Sequence, residues 1–261
     1  MTNHTESPRV HHDADQAPTP ARHEPDAHRS LRRASIIGGA GILLLAASAA
    51  FGNLVVVEGL VTHGDAARTA EDVMASEGMF RLGIASLYVT VVLDVVVAWA
   101  LFRVFSPEST AMSRLAAWFR LAYSGVFTVA IGQLAGIPHL LGSKGYSAVF
   151  DEGQLQAQAL LRVDAFNDIY FAGLILFGVH LGLLGYLAYR SGYVPRVLGV
   201  LLVIAGLGYV FDSFGTVLSQ GSPVIVSMVT FLGELLLAFW LVVRGRRLSL
   251  GEAGSRDPLN N

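Results

Sequence analysis

The chain contains no cysteine among its 261 residues. Disulfides, thiolate nucleophiles and Cys-ligated zinc or iron–sulfur sites are therefore excluded. Charge is scarce as well: 15% of residues are Asp, Glu, Lys or Arg, where a soluble domain carries about a quarter. The formal net charge is −2, so the basic excess needed to neutralise phosphates is missing and no nucleic-acid partner is expected. Neither an H-E-x-x-H nor a G-x-S-x-G motif occurs, so no catalytic residue or cofactor is nominated, and a metal or haem site built from His139, His180, Glu58 and Asp212 is the less favoured alternative. What the chain has instead is apolar surface, at 53% hydrophobic residues and a mean hydropathy of +0.53. That composition predicts a membrane protein whose principal partner is the lipid bilayer.

The hydrocarbon of a bilayer is about 30 Å thick and a helix rises about 1.5 Å per residue, so about 20 apolar residues cross it. Six stretches qualify: Ala34 to Val61, Met79 to Phe105, Ser113 to Leu141, Ala165 to Tyr189, Val194 to Leu218 and Pro223 to Val243. Pro107, Pro138 and the "SGYVPR" segment punctuate their ends. The expected fold class is all-α, a polytopic bundle of six transmembrane helices over residues 31–247. Arginine sets its orientation. With the N-terminus cytoplasmic, that side receives Arg29, Arg32, Arg33, Arg103, Arg114, Arg190, Arg196, Arg244, Arg246 and Arg247. The opposite loops hold Arg68, Lys144 and Arg162. Both termini are therefore predicted to be cytoplasmic, with two longer loops outside as amphipathic surface segments.

Residues 1–30 are polar and nearly free of large apolar side chains, and residues 248–261 are similar. Neither segment can offset its ordering entropy by burial, so both are expected to be disordered tails. Five of the eight histidines fall in the first, where they read as a solvated tail without fixed metal geometry. "LRRASIIGGAGILLLAASAAFG" imitates a signal peptide, with Ala47 and Ala49 placed as a cleavage site would be. The apolar run continues through "NLVVVEGLV", which favours a retained first span.

The most informative residues are polar ones inside apolar spans. Asp94 interrupts "VTVVLDVVVAWALFR" and Glu234 interrupts "VTFLGELLLAFWLVVR". Aligned at Val89 and Val229, the two acids coincide, as do Ala98 and Ala238, suggesting three pseudo-repeated helical hairpins. His180 precedes Arg190 by ten residues, much as Asp94 precedes Arg103 by nine and Glu234 precedes Arg244 by ten. That interval is about 14–15 Å of helix, half the hydrocarbon thickness. Three helices thus carry an ionisable group near the midplane. Arg120 approaches from the cytoplasmic side and is the expected partner of Asp94. A second candidate cluster, Glu58, Arg81, His139, Asp168 and Asp212, lies towards the outer side. Stripes of small residues at helical spacing, including Gly178, Gly182 and Gly185, predict close helix packing.

An ionised group at mid-membrane costs about 2.5–3.5 kcal/mol on the insertion scale, so Asp94, His180 and Glu234 should face the interior and find a partner. Two readings follow. The layer binds or conducts a small solute or protons, or it only fixes helix packing in a structural or accessory protein. Two observations weigh against a transporter and a metal centre respectively: no span is broken by Gly or Pro at midplane, and His139 and His180 fall at different depths.

The segments "MFRLGIASLYVTVVLDVVVAWALFRVF", "AWFRLAYSGVF", "YRSGYVPRVLG" and "GELLLAFWLVVRG" resemble the bacterial integral membrane proteins catalogued as domain-of-unknown-function family 4386. The resemblance covers about residues 30 to 247. It implies a multi-spanning protein of the bacterial cytoplasmic membrane, and Arg81, Asp94, Arg120, Arg196 and Glu234 resemble the family pattern. It brings no substrate, cofactor or catalytic residue with it.

Overall fold

The computed structural model describes residues 24–218 and 232–245. Among the described residues all regular structure is helical. Helix α1 (Glu24–Ala49) runs into a π-helical segment (Ala50–Val57) and a last turn, α2 (Glu58–Leu60). A short surface helix, α3 (Ala66–Ala75), precedes the long α4 (Glu77–Phe105). Then follow α5 (Thr110–Ala135), two short helices α6 (Ile137–Gly142) and α7 (Lys144–Ser147), and the longest helix, α8 (Glu152–Arg190). Helix α9 (Arg196–Leu218) and α10 (Leu232–Val243) complete the described chain.

Five of these helical stretches are long and apolar enough to cross a membrane: Arg29–Leu60, Glu77–Phe105, Thr110–Gly142, Glu152–Arg190 and Arg196–Thr216. The outside of the bundle is apolar too. Val92, Leu207 and Trp118 are each more than 60% exposed, an arrangement compatible with a membrane protein and unfavourable against water. The apolar helix α10 is shorter, and the first half of the expected sixth span, Pro223 to Phe231, lies outside the described residues. So do residues 1–23 of the first tail, the whole second tail, and Arg246 and Arg247.

Several boundaries differ from those drawn on apolarity alone, each for a local reason. Helix α1 begins at Glu24, inside the tail expected to be disordered, and Pro25 sits where the first turn of a helix tolerates proline. The third expected span divides between Ala135 and Ile137, because Pro138 has no N–H to continue the ladder. Helix α8 starts well before Ala165. Asp151 accepts from the Gln154 backbone at 2.8 Å while the Gln154 side chain accepts from the Asp151 N–H at 3.0 Å, a complete capping box. With 39 residues, α8 is about 58 Å long, about twice the hydrocarbon thickness. Around its N-terminal part pack α3 and α6, so the two long loops fold as a helical cap. Helix α3 contributes Thr69, Ala70 and Val73 as its buried face.

The core is held by close helix contacts. Helix α8 packs on α9 and α5, and α1 packs on α4 and α10. At the α8–α9 crossing, a Cβ on Gly178 would come within 2.6 Å of the Gly206 carbonyl, and one on Gly185 within 2.6 Å of the Gly199 carbonyl. Only glycine permits backbones to approach this way. The turn between them uses Gly192 at φ 71°, a left-handed conformation that suits glycine.

Contacts at one end of the bundle join helices far apart in sequence. Arg103 donates to Ser30 at 2.7 Å and Arg190 to Glu108 at 3.1 Å. The Tyr193 hydroxyl donates to the Val104 carbonyl at 2.8 Å. Burial, and secondarily the nearby Glu108 carboxylate, push the Tyr193 phenol above its ordinary range, so it remains a donor.

Candidate functional site: a buried arginine node beneath an aromatic cavity

The helices that build the site place their polar residue on the same stripe as their core. On α4 the buried positions Leu87, Thr90, Asp94, Val97 and Leu101 recur at three- and four-residue spacing, so Asp94 points inward with the apolar side chains. On α5 the same logic aligns Ala116, Arg120, Tyr123 and Phe127. Helix α8 brings Phe177 and His180, and α10 brings Glu234 beside Gly233, Leu237 and Ala238. No helix could bury its polar group alone; the four together satisfy one another.

Arg120 is the hub and has no accessible surface. Its Nε donates to Asp94 Oδ1 at 2.8 Å. Nη1 donates to Glu234 Oε1 at 3.1 Å and meets His180 Nε2 at 3.2 Å. The guanidinium carbon lies 5.2 Å from the centre of the Phe177 ring, a cation–π contact. Nη2 comes within 2.7 Å of Asp94 Oδ1 yet makes no aligned hydrogen bond.

The contacts also assign the protonation of His180. Its Nδ1 lies 2.8 Å from the Ala116 carbonyl, which only accepts, so Nδ1 carries the hydrogen. Arg120 Nη1 only donates, so Nε2 is the acceptor. The imidazole is therefore neutral in this arrangement. Both ring nitrogens are engaged, leaving none to ligate a metal.

Beside the node lies a cavity of about 280 Å³. Asp94, Arg120, Glu234 and Thr90 form its polar wall, and Tyr123, Phe127, Phe166, Tyr170, Phe177 and Tyr209 the aromatic one. The rings contact one another continuously: Tyr123 to Phe177 at 4.9 Å, Phe127 to Tyr170 at 5.4 Å and Phe177 to Tyr209 at 5.4 Å between centroids. The remaining side is the junction of α1 with the π-helical segment, through Ala46, Ala50, Asn53 and Leu54. Leu54 is 62% exposed, which puts the cavity rim at the outer surface of the bundle. Asn53 Oδ1 is buried without a hydrogen-bond partner. A π-helical turn is rare and often marks a functional position. Here Gly52 allows the segment to lie against Ser86 and Leu87, where a Cβ would approach within 2.7 Å.

The five residues expected as an outer cluster are not gathered. Glu58 meets His63 at 3.4 Å and Arg81 meets Glu77 at 2.7 Å, both at exposed positions. His139 packs edge-on to Tyr146, Asp168 is exposed, and Asp212 is buried in α9. Glu58, Arg81 and His139 each meet a residue close by in sequence. Among the described residues, no three His, Asp or Glu side chains form a metal-holding group.

Residues 37–245 match the family described as Domain of unknown function (DUF4386). The chain belongs to the DUF4386 family. An uncharacterized protein of Archaeoglobus fulgidus is 37% identical over 166 residues, covering 64% of this chain and 85% of that one. No solved structure matches. The DUF4386 span takes in Asp94, Arg120, His180 and Glu234, and the cavity beside them.

The six aromatic residues and Asn53 did not stand out in the sequence. Two signals were available. Tyr123 and Phe127 continue the Arg120 stripe at i+3 and i+7, and Phe166 and Tyr170 are four apart on α8. Such spacing is ordinary for a core, and only the gap between the helices distinguishes these rings from packing residues.

Proposed function

We propose that this protein is a multi-pass protein of the cytoplasmic membrane that binds a small molecule in the cavity beside the Arg120 node. The observation that carries this reading is the cavity itself, about 280 Å³ against the Asp94–Arg120–Glu234 network. A core with no ligand to accommodate gains by closing such a space, since a void forfeits packing contacts and costs stability. Here the gap adjoins charged groups and reaches the rim at Leu54, accessible from the lipid side. Residues 223–243 supply the sixth crossing in this reading, and both termini are cytoplasmic. Supporting that orientation, Arg103, Arg190 and Arg196 belong to the same end of the bundle as Ser30 and Tyr193.

The test is to extract the protein with native lipids and weigh it by native mass spectrometry. A stoichiometric small-molecule adduct is expected, and Ala46→Trp, which fills the cavity from the α1 side, should remove it. No adduct on the wild type, or equal retention by the variant, would overturn the binding reading.

A second reading is favoured by the complete burial of Arg120. The node ties α4, α5, α8 and α10 to one guanidinium, and so sets their register whether or not anything binds. If the cavity proves empty in native membranes, this structural role is what remains.

A further inference from the structure

The chemistry of the cavity narrows the class of molecule it takes. In the node one guanidinium faces two carboxylates, Asp94 and Glu234. His180 adds no positive charge, because its two nitrogens act as one donor and one acceptor. Negative groups thus outnumber positive ones at the cavity wall. Their order matters as well. Arg120 has no accessible surface, whereas Glu234 keeps 4% of its own. Arg120 engages only Oε1 of Glu234, leaving Oε2 outside that bond. The Glu234 carboxylate is thus the more accessible of the two groups. Asn53 adds a buried oxygen that lacks a donor.

An anion would face two carboxylates, and the N–H bonds of Nε and Nη1 of Arg120 are already directed to Asp94, Glu234 and His180, leaving only Nη2, itself 2.7 Å from Asp94 Oδ1, without an aligned hydrogen bond. A neutral apolar molecule would leave the second carboxylate uncompensated at low dielectric. A cation satisfies both walls, since the faces of aromatic rings attract positive charge as carboxylates do. Resting on the binding reading above, we propose that the cavity takes a small organic cation, an ammonium carrying an aryl or alkyl group, with its charge at Glu234 and its apolar part against the aromatic wall.

The probe is benzyltrimethylammonium, measured by equilibrium dialysis against the full-length protein in nanodiscs of zwitterionic lipid. Two comparison ligands isolate the charge: neopentylbenzene, in which carbon replaces the nitrogen, and the anion phenylacetate. The cation should bind at least about tenfold tighter than either, a difference of about 1.4 kcal/mol. Glu234→Gln keeps an oxygen able to accept from Arg120 and should abolish most of that preference, with an unchanged unfolding midpoint as the control for folding. If the cation and its neutral isostere bind equally and Ala46→Trp removes both, the cation assignment is overturned while the cavity reading stands. If phenylacetate binds tightest, the charge argument is wrong in sign and the assignment fails. Should none of the probes bind, the assignment also fails, and co-purification decides the cavity reading separately. The comparison among the three ligands needs only wild-type protein, so it holds even if Glu234→Gln does not fold.

Discussion

Two arginines of this protein each reach a carboxylate oxygen at 2.7 Å, and they have little else in common. Arg81 pairs with Glu77 one turn away on α4, with 60% and 39% of the two side chains exposed. Arg120 pairs with Asp94 across a helix interface, with 0% and 2% exposed. The same chemistry at the same distance is a local surface feature in one place and a structural commitment in the other. Water, or its absence, makes the difference: an exposed pair exchanges one well-solvated state for another, while a buried one has given up its hydration and depends on its partners.

The contrast is tested most severely at the hub. Arg120→Met leaves Asp94 and Glu234 buried side by side without their counter-charge, and should cost about 3–5 kcal/mol of stability, measured by denaturant unfolding in bicelles. Replacing the network as a unit, with Asp94→Leu, Arg120→Met and Glu234→Leu together, should recover most of that loss, because no uncompensated group remains. A triple variant as unstable as the single one would mean that the node contributes packing shape more than charge balance.

The next effect concerns the part of the interior that is held without charge. Gly206→Val would push a side chain to within 2.4 Å of the Gly178 carbonyl, an overpacking against backbone expected to cost about 1–3 kcal/mol. Gly182→Ala meets open space and should be neutral to stabilising, by up to about 1 kcal/mol, since alanine is the better helix former. The two thermal midpoints should therefore move in opposite directions. A matched loss would place Gly182 inside the seam as well.

The smallest effect is expected at the surface. Arg81→Ala removes an exposed i,i+4 pair and should change stability by about 0.2–0.5 kcal/mol, diminishing with added salt. A loss comparable to that of Arg120→Met would erase the distinction between the two arginines.

How much of this was legible beforehand depends on the kind of residue. Asp94, His180 and Glu234 announce themselves because ionisable groups are costly in apolar helices, and helical spacing is enough to assign them a common depth. The Glu58, Arg81, His139, Asp168 and Asp212 group was assembled on depth alone. Depth does not fix azimuth, and at exposed positions such as Glu58 and Arg81 solvent and a residue close by in sequence are within reach. The early start of α8 was readable in "DEGQ", a capping signal that apolarity does not register. The α8–α9 seam was half visible, in Gly178 and Gly185, but their partners Gly199 and Gly206 became identifiable only once the two helices were crossed.

By itself the sequence determined that this chain makes apolar helices, roughly where they begin and end, and which polar side chains must turn inward, because those outcomes depend on composition and on the 3.6-residue repeat within one segment. The tertiary structure decided that a single guanidinium serves two carboxylates and a neutral imidazole. It also decided that a π-helical turn beside Asn53 and six aromatic rings enclose a space next to them. These arise between helices, from how their faces are rotated and spaced, and no single segment carries that information.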